Sequence, residues 1–359
     1  MAGSHEVIGS TPIYSTRRKR LIGRFFRNDK YLIMNLYKLY SVDFPDFIRE
    51  ISQTPAMLRL DDIGMNCGCE YTSFPLFEGL EKYSRYTHSV GVALIVWHFT
   101  HDVRQSTAGL LHDISSPAFA HVIDFMHGDY LTQESTENGT EKIIAESVEI
   151  QQRLKKYGMK TSEVADYHLY PIADNDTPRL SADRLEYTIG NIVNYRQASY
   201  EKAKELYDNL IVGINEENQQ EIMFADKNKA LEFAKLSLQC SKIYVSDEDR
   251  YSMQRLAELL KDCIQRGIMT EADLYLGESF VIEKLMSTEF SANEWRKFRA
   301  YSSIERIDGS PDSRVIHAKK RHINPFVSGQ GRVADIFPEY GDALREYLAE
   351  SQNYAICGR

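Results

Sequence analysis

Apolar residues recur every three and four positions along most of this chain, the spacing of one buried helix face, and the breaks in that spacing cut it into many short helices. Helices of that length need tertiary packing to be stable, so the chain is committed to a helical bundle. Leu36, Leu39 and Tyr40 mark the first periodic stretch, which Pro45 and Pro55 interrupt. Helices are expected over 84–100, 104–113 and 141–157, the last stopping at Gly158. Thr177 and Pro178 are expected to be the cap and first position of the next helix, on which Asp183, Tyr187 and Asn191 share a face. Helical periodicity continues over 198–213, 226–240, 247–266 and 270–287. Two stretches depart from it: 63–75, where Gly64, Gly68, Tyr71 and Ser73 predict a small hairpin, and 314–326, which alternates like a strand. The expected class is mostly α with small β elements, organised as an N-terminal extension (1–30), a helical core (31–200) and a C-terminal helical region with a small strand element packed on it (201–359).

Composition narrows the function. The longest apolar run, Val90 to Trp97, is far shorter than a membrane span, and neither Met1 to Gly9 nor the basic run Arg17 to Arg20 introduces a secretory apolar segment. A cytoplasmic protein with no membrane partner is expected. Five cysteines, at 67, 69, 240, 263 and 357, have neither a disulfide framework nor the paired spacing of a structural zinc site. A formal charge of −9 argues against stable nucleic-acid binding and for small substrates.

Four residues stand out: His88, the adjacent His112 and Asp113, and Asp183, each within or beside a helix-periodic stretch. Imidazoles and carboxylates are the donors that hold a hard or borderline divalent metal, and such a metal is a usual means of attacking a phosphate ester with water. Tens of residues separate the groups, so they meet only if their helices pack side by side. Neighbouring residues on a helix point about 100° apart, so His112 and Asp113 reach one ion only at a helix end, which Ser115, Ser116 and Pro117 supply. Taken singly, each has a plainer role, a hydrogen-bonded core histidine or an acid at a helix start. Arg85, three positions before His88, lies on its face and suits a phosphate clamp or a surface arginine. His121 and Asp124, also three apart, suit an imidazole oriented by a carboxylate for proton transfer, or a capped loop.

The segments Arg85-Tyr86-Thr87-His88-Ser89, Gly109-Leu110-Leu111-His112-Asp113 and Asp183 resemble the signature segments of the HD-domain metal-dependent phosphohydrolases, in the order His, His-Asp, Asp. Within that superfamily the chain is similar to the deoxynucleoside triphosphate triphosphohydrolase (dGTPase-like) branch, through 55–60, Phe74-Pro75, Phe119-Ala120-His121 with Asp124, and 332–348. The resemblance implies an HD helical bundle in which His88, His112, Asp113 and Asp183 ligate a divalent metal (Mn, Fe, Ni, Co, Zn or Mg), with Asp113 bridging to a second ion in a dinuclear site. It implies catalytic roles for Asp113, His121 and Asp124, phosphate contacts from Arg85, Arg184 and Tyr187, a nucleotide or small phosphate-ester substrate, and a homo-oligomer.

The chain departs from that pattern where Ser115 and Ser116 replace a Gly-His pair, where Gln133 precedes Glu134 in place of a histidine, and where Met65 and Asn66 replace a sugar-sensing Gln-Leu pair. The leading reading is a phosphohydrolase that uses a metal-activated water. A catalytically weak relative that binds nucleotide and metal as a sensor or scaffold is the alternative, and an all-helical interaction protein with structural histidines is a third. The basic cluster Arg314, His317, Lys319, Lys320, Arg321 and His322 is expected to be a solvated strand, the alternative being a phosphate or effector site at a subunit boundary.

Overall fold

The computed structural model describes residues 31–359 apart from 129, 132–138 and 308. The N-terminal extension and Gln133 and Glu134 lie outside the described residues. Helices dominate, and two small sheets complete the architecture.

The described chain opens with α1 (Tyr31–Tyr40), α2 (Asp46–Ser52), the one-turn α3 (Pro55–Leu58), α4 (Arg85–Thr100) and α5 (Val103–Leu111). Helix α4 is the central one. The Ser84 side chain accepts a hydrogen bond from the Thr87 N–H to start it, eleven of its residues are buried, and His101 in the left-handed region (φ 52°) ends it. Asp102 then caps α5 through the N–H groups of Arg104 and Gln105, so two residues reverse the chain. The reversal lays α5 on α4 so closely that a Cβ at Gly109 would lie 3.1 Å from Val92.

Downstream come α6 (Val122–His127), α7 (Thr140–Glu146), α8 (Val148–Lys156), α9 (Ala182–Asn194) and α10 (Tyr200–Tyr207). The single helix expected over 141–157 is two, because Ser147 is extended (φ −77°, ψ 107°) and its hydroxyl caps α8. Helix α9 begins later than expected. Ser181, not Thr177, supplies the capping oxygen, to the Arg184 N–H, while Pro178 follows a cis peptide in the preceding turn. The helix expected over 198–213 ends at Tyr207, and the β-branched run that follows forms β1 (Leu210–Ile214).

Strand β1 pairs antiparallel with β2 (Gln220–Phe224), in a register that sets Val212 opposite Ile222. After α11 (Lys227–Ile243), α12 (Asp247–Gln265), α13 (Glu278–Leu285) and α14 (Glu289–Ala300) come β3 (Ile304–Arg306), β4 (Arg314–Val315), β5 (Phe326–Val327) and β6 (Gly331–Arg332). The chain closes with α15 (Val333–Ile336), α16 (Pro338–Ala349) and β7 (Ala355–Gly358). One sheet runs β1-β2-β5-β6 and the other β3-β7-β4. The helix expected over 270–287 is a 3-10 turn, Glu271–Leu276, and then α13, separated at Gly277 (φ 120°).

The mostly α class with small β elements is therefore what the chain adopts, but the β elements are not all where expected. No hairpin forms over 63–75. Cys67 (φ 53°) and Gly68 (φ 82°) are consecutively left-handed, the Cys69 N–H closes the turn on the Asn66 carbonyl at 2.9 Å, and a 3-10 turn follows instead of a return strand. Two consecutive left-handed residues take the chain out of the extended range a hairpin strand needs, and Gly68 is required there because a Cβ would lie 2.6 Å from Leu256. Over 314–326 only the ends are strands, in different sheets, and the stretch between them is a strap without strand partners. Among the described residues, no helix is long and apolar enough to cross a membrane.

Candidate metal centre

Helix α4 delivers His88, the end of α5 delivers His112, and the start of α9 delivers Asp183, so one atom from each lies within 4.8 Å of the others. Asp183 Oδ1 is 3.0 Å from His88 Nε2 and 3.7 Å from His112 Nε2. Asp113 joins them: its Oδ2 is 3.6 Å from His112 Nε2 and 3.9 Å from His88 Nε2. Helix α5 stops at Leu111, and so the adjacent His112 and Asp113 can turn toward one point. Arg59 holds the stop in place, donating to the Ile114 carbonyl at 2.8 Å.

Both imidazoles are fixed from behind. His88 Nδ1 lies 2.5 Å from Glu186 Oε2, a carboxylate that Tyr83 also hydrogen-bonds, and His112 Nδ1 lies 2.7 Å from the Gly109 carbonyl. A carbonyl can only accept, so His112 carries a proton on Nδ1 and turns Nε2 toward Asp113 and Asp183. That nitrogen is buried and has no hydrogen-bond partner. A buried, unpartnered nitrogen beside two carboxylates is an arrangement that a shared cation satisfies, and an imidazole-carboxylate set suits the borderline divalent metals. The residues fit a divalent ion. Glu186, three positions beyond Asp183, was absent from the sequence reading although its helical spacing marks it. Its side chain reaches His88 past Gly91, where a Cβ would lie 2.5 Å from Glu186 Oε1.

The electrostatics match this arrangement. Burial opposes charge on His88, yet hydrogen bonds with Asp183 and Glu186 push its pKa up to about 10. Burial likewise opposes charge on Asp113 and Asp183, but Arg85 with the two imidazoles, and His88 chiefly, hold these carboxyls well below the usual range. The cluster thus keeps protons on a histidine that a metal would displace.

Arg85, His121, Arg184 and Tyr187 line the same cavity, of about 590 Å³, with His88, His112, Asp113 and Asp183, whereas Asp124 is fully buried behind His121 and is not part of the lining. Arg85 is buried and donates to Asp113 Oδ2 at 2.9 Å, so it steadies a ligand candidate rather than lying on the surface. Arg184 is 3.2 Å from Asp174. The Tyr187 ring stands edge-on to Tyr244, and burial pushes its phenol up to about 12. His121 Nδ1 is 2.9 Å from Asp124 Oδ2, while its Nε2 is 3.4 Å from Arg321 Nη2. Burial first, and then Arg321, lower the His121 pKa despite Asp124.

The residues that depart from the phosphohydrolase pattern also have places here. Ser116 donates to Asp113 Oδ1 at 3.0 Å, Ser115 shares a hydrogen bond with Thr140, and Met65 and Asn66 line the cavity. Sequence reasoning also missed Tyr167, whose ring covers His112 at 4.9 Å, and the cavity-lining Asp174 and Asn175.

The solvated strand expected for the C-terminal basic cluster is not what forms. Lys319 and Arg321 line the cavity, whereas Lys320 donates to the Tyr347 and Leu348 carbonyls at 2.8 Å, at the end of α16. The strap is extended, so alternate residues face opposite ways, and the cavity side takes two cations.

Comparison with known proteins bears on this geometry. No family model matches the chain. The uncharacterized protein YdhJ of Bacillus subtilis is 28% identical over 210 residues, which are 57% of this chain and 62% of that protein, so the chain spans less than two thirds of this relative. A protein of Cordyceps militaris, the metal-dependent phosphohydrolase cns2, is 22% identical over 325 residues, 83% of this chain and 87% of its own. Among solved structures, a hypothetical protein from Aquifex aeolicus superposes with a TM-score of 0.58 at 17% identity, covering 89% of this chain and 94% of its own, a likeness of fold. A distant relative of the chain is therefore named a metal-dependent phosphohydrolase, and the chain holds a His/Asp cluster able to take a divalent metal.

Proposed function

We propose that the chain is an HD-type metal-dependent phosphohydrolase acting on a nucleotide or related small phosphate ester. The observation that carries this reading is the buried, unpartnered Nε2 of His112, set among His88, Asp113 and Asp183 and fixed from behind by a backbone carbonyl. His88, His112 and Asp183 would hold the ion, with Asp113 completing or bridging the site. A divalent ion there supplies Lewis acidity toward the phosphoryl oxygens and water acidic enough to attack near neutral pH.

The chain's own residues do the rest. Glu186 and the Gly109 carbonyl orient the imidazoles before anything binds, which removes reorganisation from the reaction. Arg184, Lys319 and Arg321 surround the cavity with positive charge suited to a phosphate. His121 is the candidate proton donor to the leaving oxygen, with Asp124 as its orienting partner. Burial first and then Arg321 disfavour its imidazolium, which the negative charge of a bound phosphate would favour. Ser116, bonded to Asp113, leaves His121 as the candidate for proton transfer on this side of the cavity.

The test is phosphate release from a panel of nucleoside mono- and triphosphates and simple sugar phosphates with manganese, iron, cobalt or nickel added. Release that disappears in Asp183→Asn and His112→Ala is the expected result. Metal and nucleotide binding without release from any ester would replace this reading with a sensor or scaffold.

A further inference from the structure

We propose that Asp249 reads the polar edge of a nitrogen heterocycle in the substrate through its carboxyl oxygen Oδ1, making the substrate a phosphate ester of an amino-substituted purine or pyrimidine nucleoside. The proposal rests on the phosphohydrolase reading and identifies the organic half of its substrate.

Asp249 stands in the first turn of α12, three positions after the capping Ser246, where an acidic side chain ordinarily folds back onto the cap N–H. Here it does not. Oδ2 takes the Cys69 thiol at 3.7 Å, and Oδ1 is buried with no hydrogen-bond partner among the described residues. None of the four metal-ligand candidates is among its hydrogen-bond partners, so the metal centre does not explain it. The residue nonetheless lines the cavity, 9% exposed. A ligand is the remaining source of a partner.

The neighbours specify which ligand. Asn191, 6% exposed on the same cavity, donates through Nδ2 to the Tyr244 hydroxyl at 2.7 Å and leaves its own Oδ1 unpartnered. Tyr195 donates to Asn66 at 3.1 Å, and its phenol is held up by burial and then by Asp249, which places the two together. Tyr187, Tyr195, Tyr244 and Met253 add aromatic faces and a thioether to the lining. Flat apolar walls with a few convergent polar atoms accommodate a planar heterocycle, whereas a phosphorylated sugar without a base leaves those faces uncovered.

The proton completes the match. Burial pushes the Asp249 carboxyl up to about 8, so near neutrality much of it is the acid, which donates and accepts at once. An exocyclic amino group beside a bare ring nitrogen, the edge of a 6-aminopurine or 4-aminopyrimidine, offers the complementary donor and acceptor. The Cys69 thiol fixes the carboxyl's orientation in that exchange.

The test uses the full chain with metal chelated, so that binding is read without turnover. The probes are adenosine 5′-monophosphate, purine riboside 5′-monophosphate, which lacks the amino group, and ribose 5-phosphate, which lacks the base. The wild type is expected to bind the amino nucleotide on the order of tenfold more tightly than its analogue, because the analogue leaves a polar group of the site unpaired. Asp249→Leu brings that ratio close to one without changing affinity for ribose 5-phosphate, and Asp249→Asn, which keeps a donor and an acceptor, retains part of it. Equal wild-type affinities, or a ratio that survives in Asp249→Leu, overturn the proposal. Should Asp249→Leu not fold, the wild-type ratio decides. Phosphate release from base-free esters with no nucleotide bound overturns this proposal and leaves the hydrolase standing, and no release from any ester overturns both.

Discussion

Two parts of the cavity are built in different ways. The candidate ligands sit on α4, at the end of α5 and at the start of α9, and each imidazole is already pinned by a group close to it in the bundle, Glu186 or the Gly109 carbonyl. Lys319 and Arg321 ride instead on the strap between β4 and β5, which no neighbouring strand supports. Distant side chains tether it: Arg250 donates to the Ile316 carbonyl, Tyr347 to the Arg321 carbonyl at 3.1 Å and Tyr340 to the Ile323 carbonyl at 2.9 Å, while Gln352 accepts from the Ala318 N–H. The first part is held between packed helices, and the second is an extended strap held by single side chains. Substitutions in the two parts should therefore fail differently.

The largest effect is expected at the ligands. Asp183→Asn and His112→Ala should take turnover to background in a phosphate-release assay while the far-ultraviolet circular dichroism is kept. Next is the support behind them: Glu186→Gln should weaken metal affinity by about 10- to 100-fold, read by chelator competition, because His88 loses the carboxylate that fixes it. Unchanged affinity would put Glu186 in the core and nothing more.

On the strap, Arg321→Ala should raise the KM for a phosphate ester on the order of tenfold, the loss of one charge-assisted contact, and leave metal content intact. A fall in metal content instead would erase the distinction between the two parts. Lys320→Ala should leave kinetics alone and lower stability by about 0.5–1 kcal/mol, since it removes a cation from the carbonyls that end α16.

A pH dependence sharpens the same contrast without touching either part. Burial pushes the Asp249 and Glu70 carboxyls up to about 8, so the folded chain retains protons that the unfolded chain, with ordinary values near 4, has released. Their contribution to stability is complete below about pH 4 and is lost as pH rises toward about 8. Urea midpoints should therefore fall less between about pH 5.5 and 8 in the Glu70→Gln, Asp249→Asn double variant than in the wild type.

What the sequence disclosed follows this division. The helices bearing His88 and Asp183 were legible because apolar spacing is a local signal, although the second is capped by Ser181 and not by Thr177, and His112-Asp113 because Ser115, Ser116 and Pro117 end a helix. Glu186 was within reach, three residues from Asp183 on the same face. The role of the strap was not, since the tethers from Arg250, Tyr340, Tyr347 and Gln352 end on backbone groups of an irregular stretch and leave no periodic trace. The expected hairpin at 63–75 failed for a similar reason: alternation of Tyr71 and Ser73 counts for less than the left-handed turn at Cys67 and Gly68, which packs against Leu256 and Phe119 from distant parts of the chain. Strand β1 was missed because Leu210 to Ile214 continues the apolar spacing of α10, and only its pairing with β2 settles it as a strand.

The central claim is that His112 Nε2 and its neighbours exist to hold a cation. Metal analysis of the purified chain, after divalent ions are supplied and excess is removed, tests it most directly against His112→Ala prepared in parallel. An equimolar ion in the wild type that is lost in the variant is the predicted result. A wild-type chain that retains no ion, or a variant that keeps it, would contradict the account.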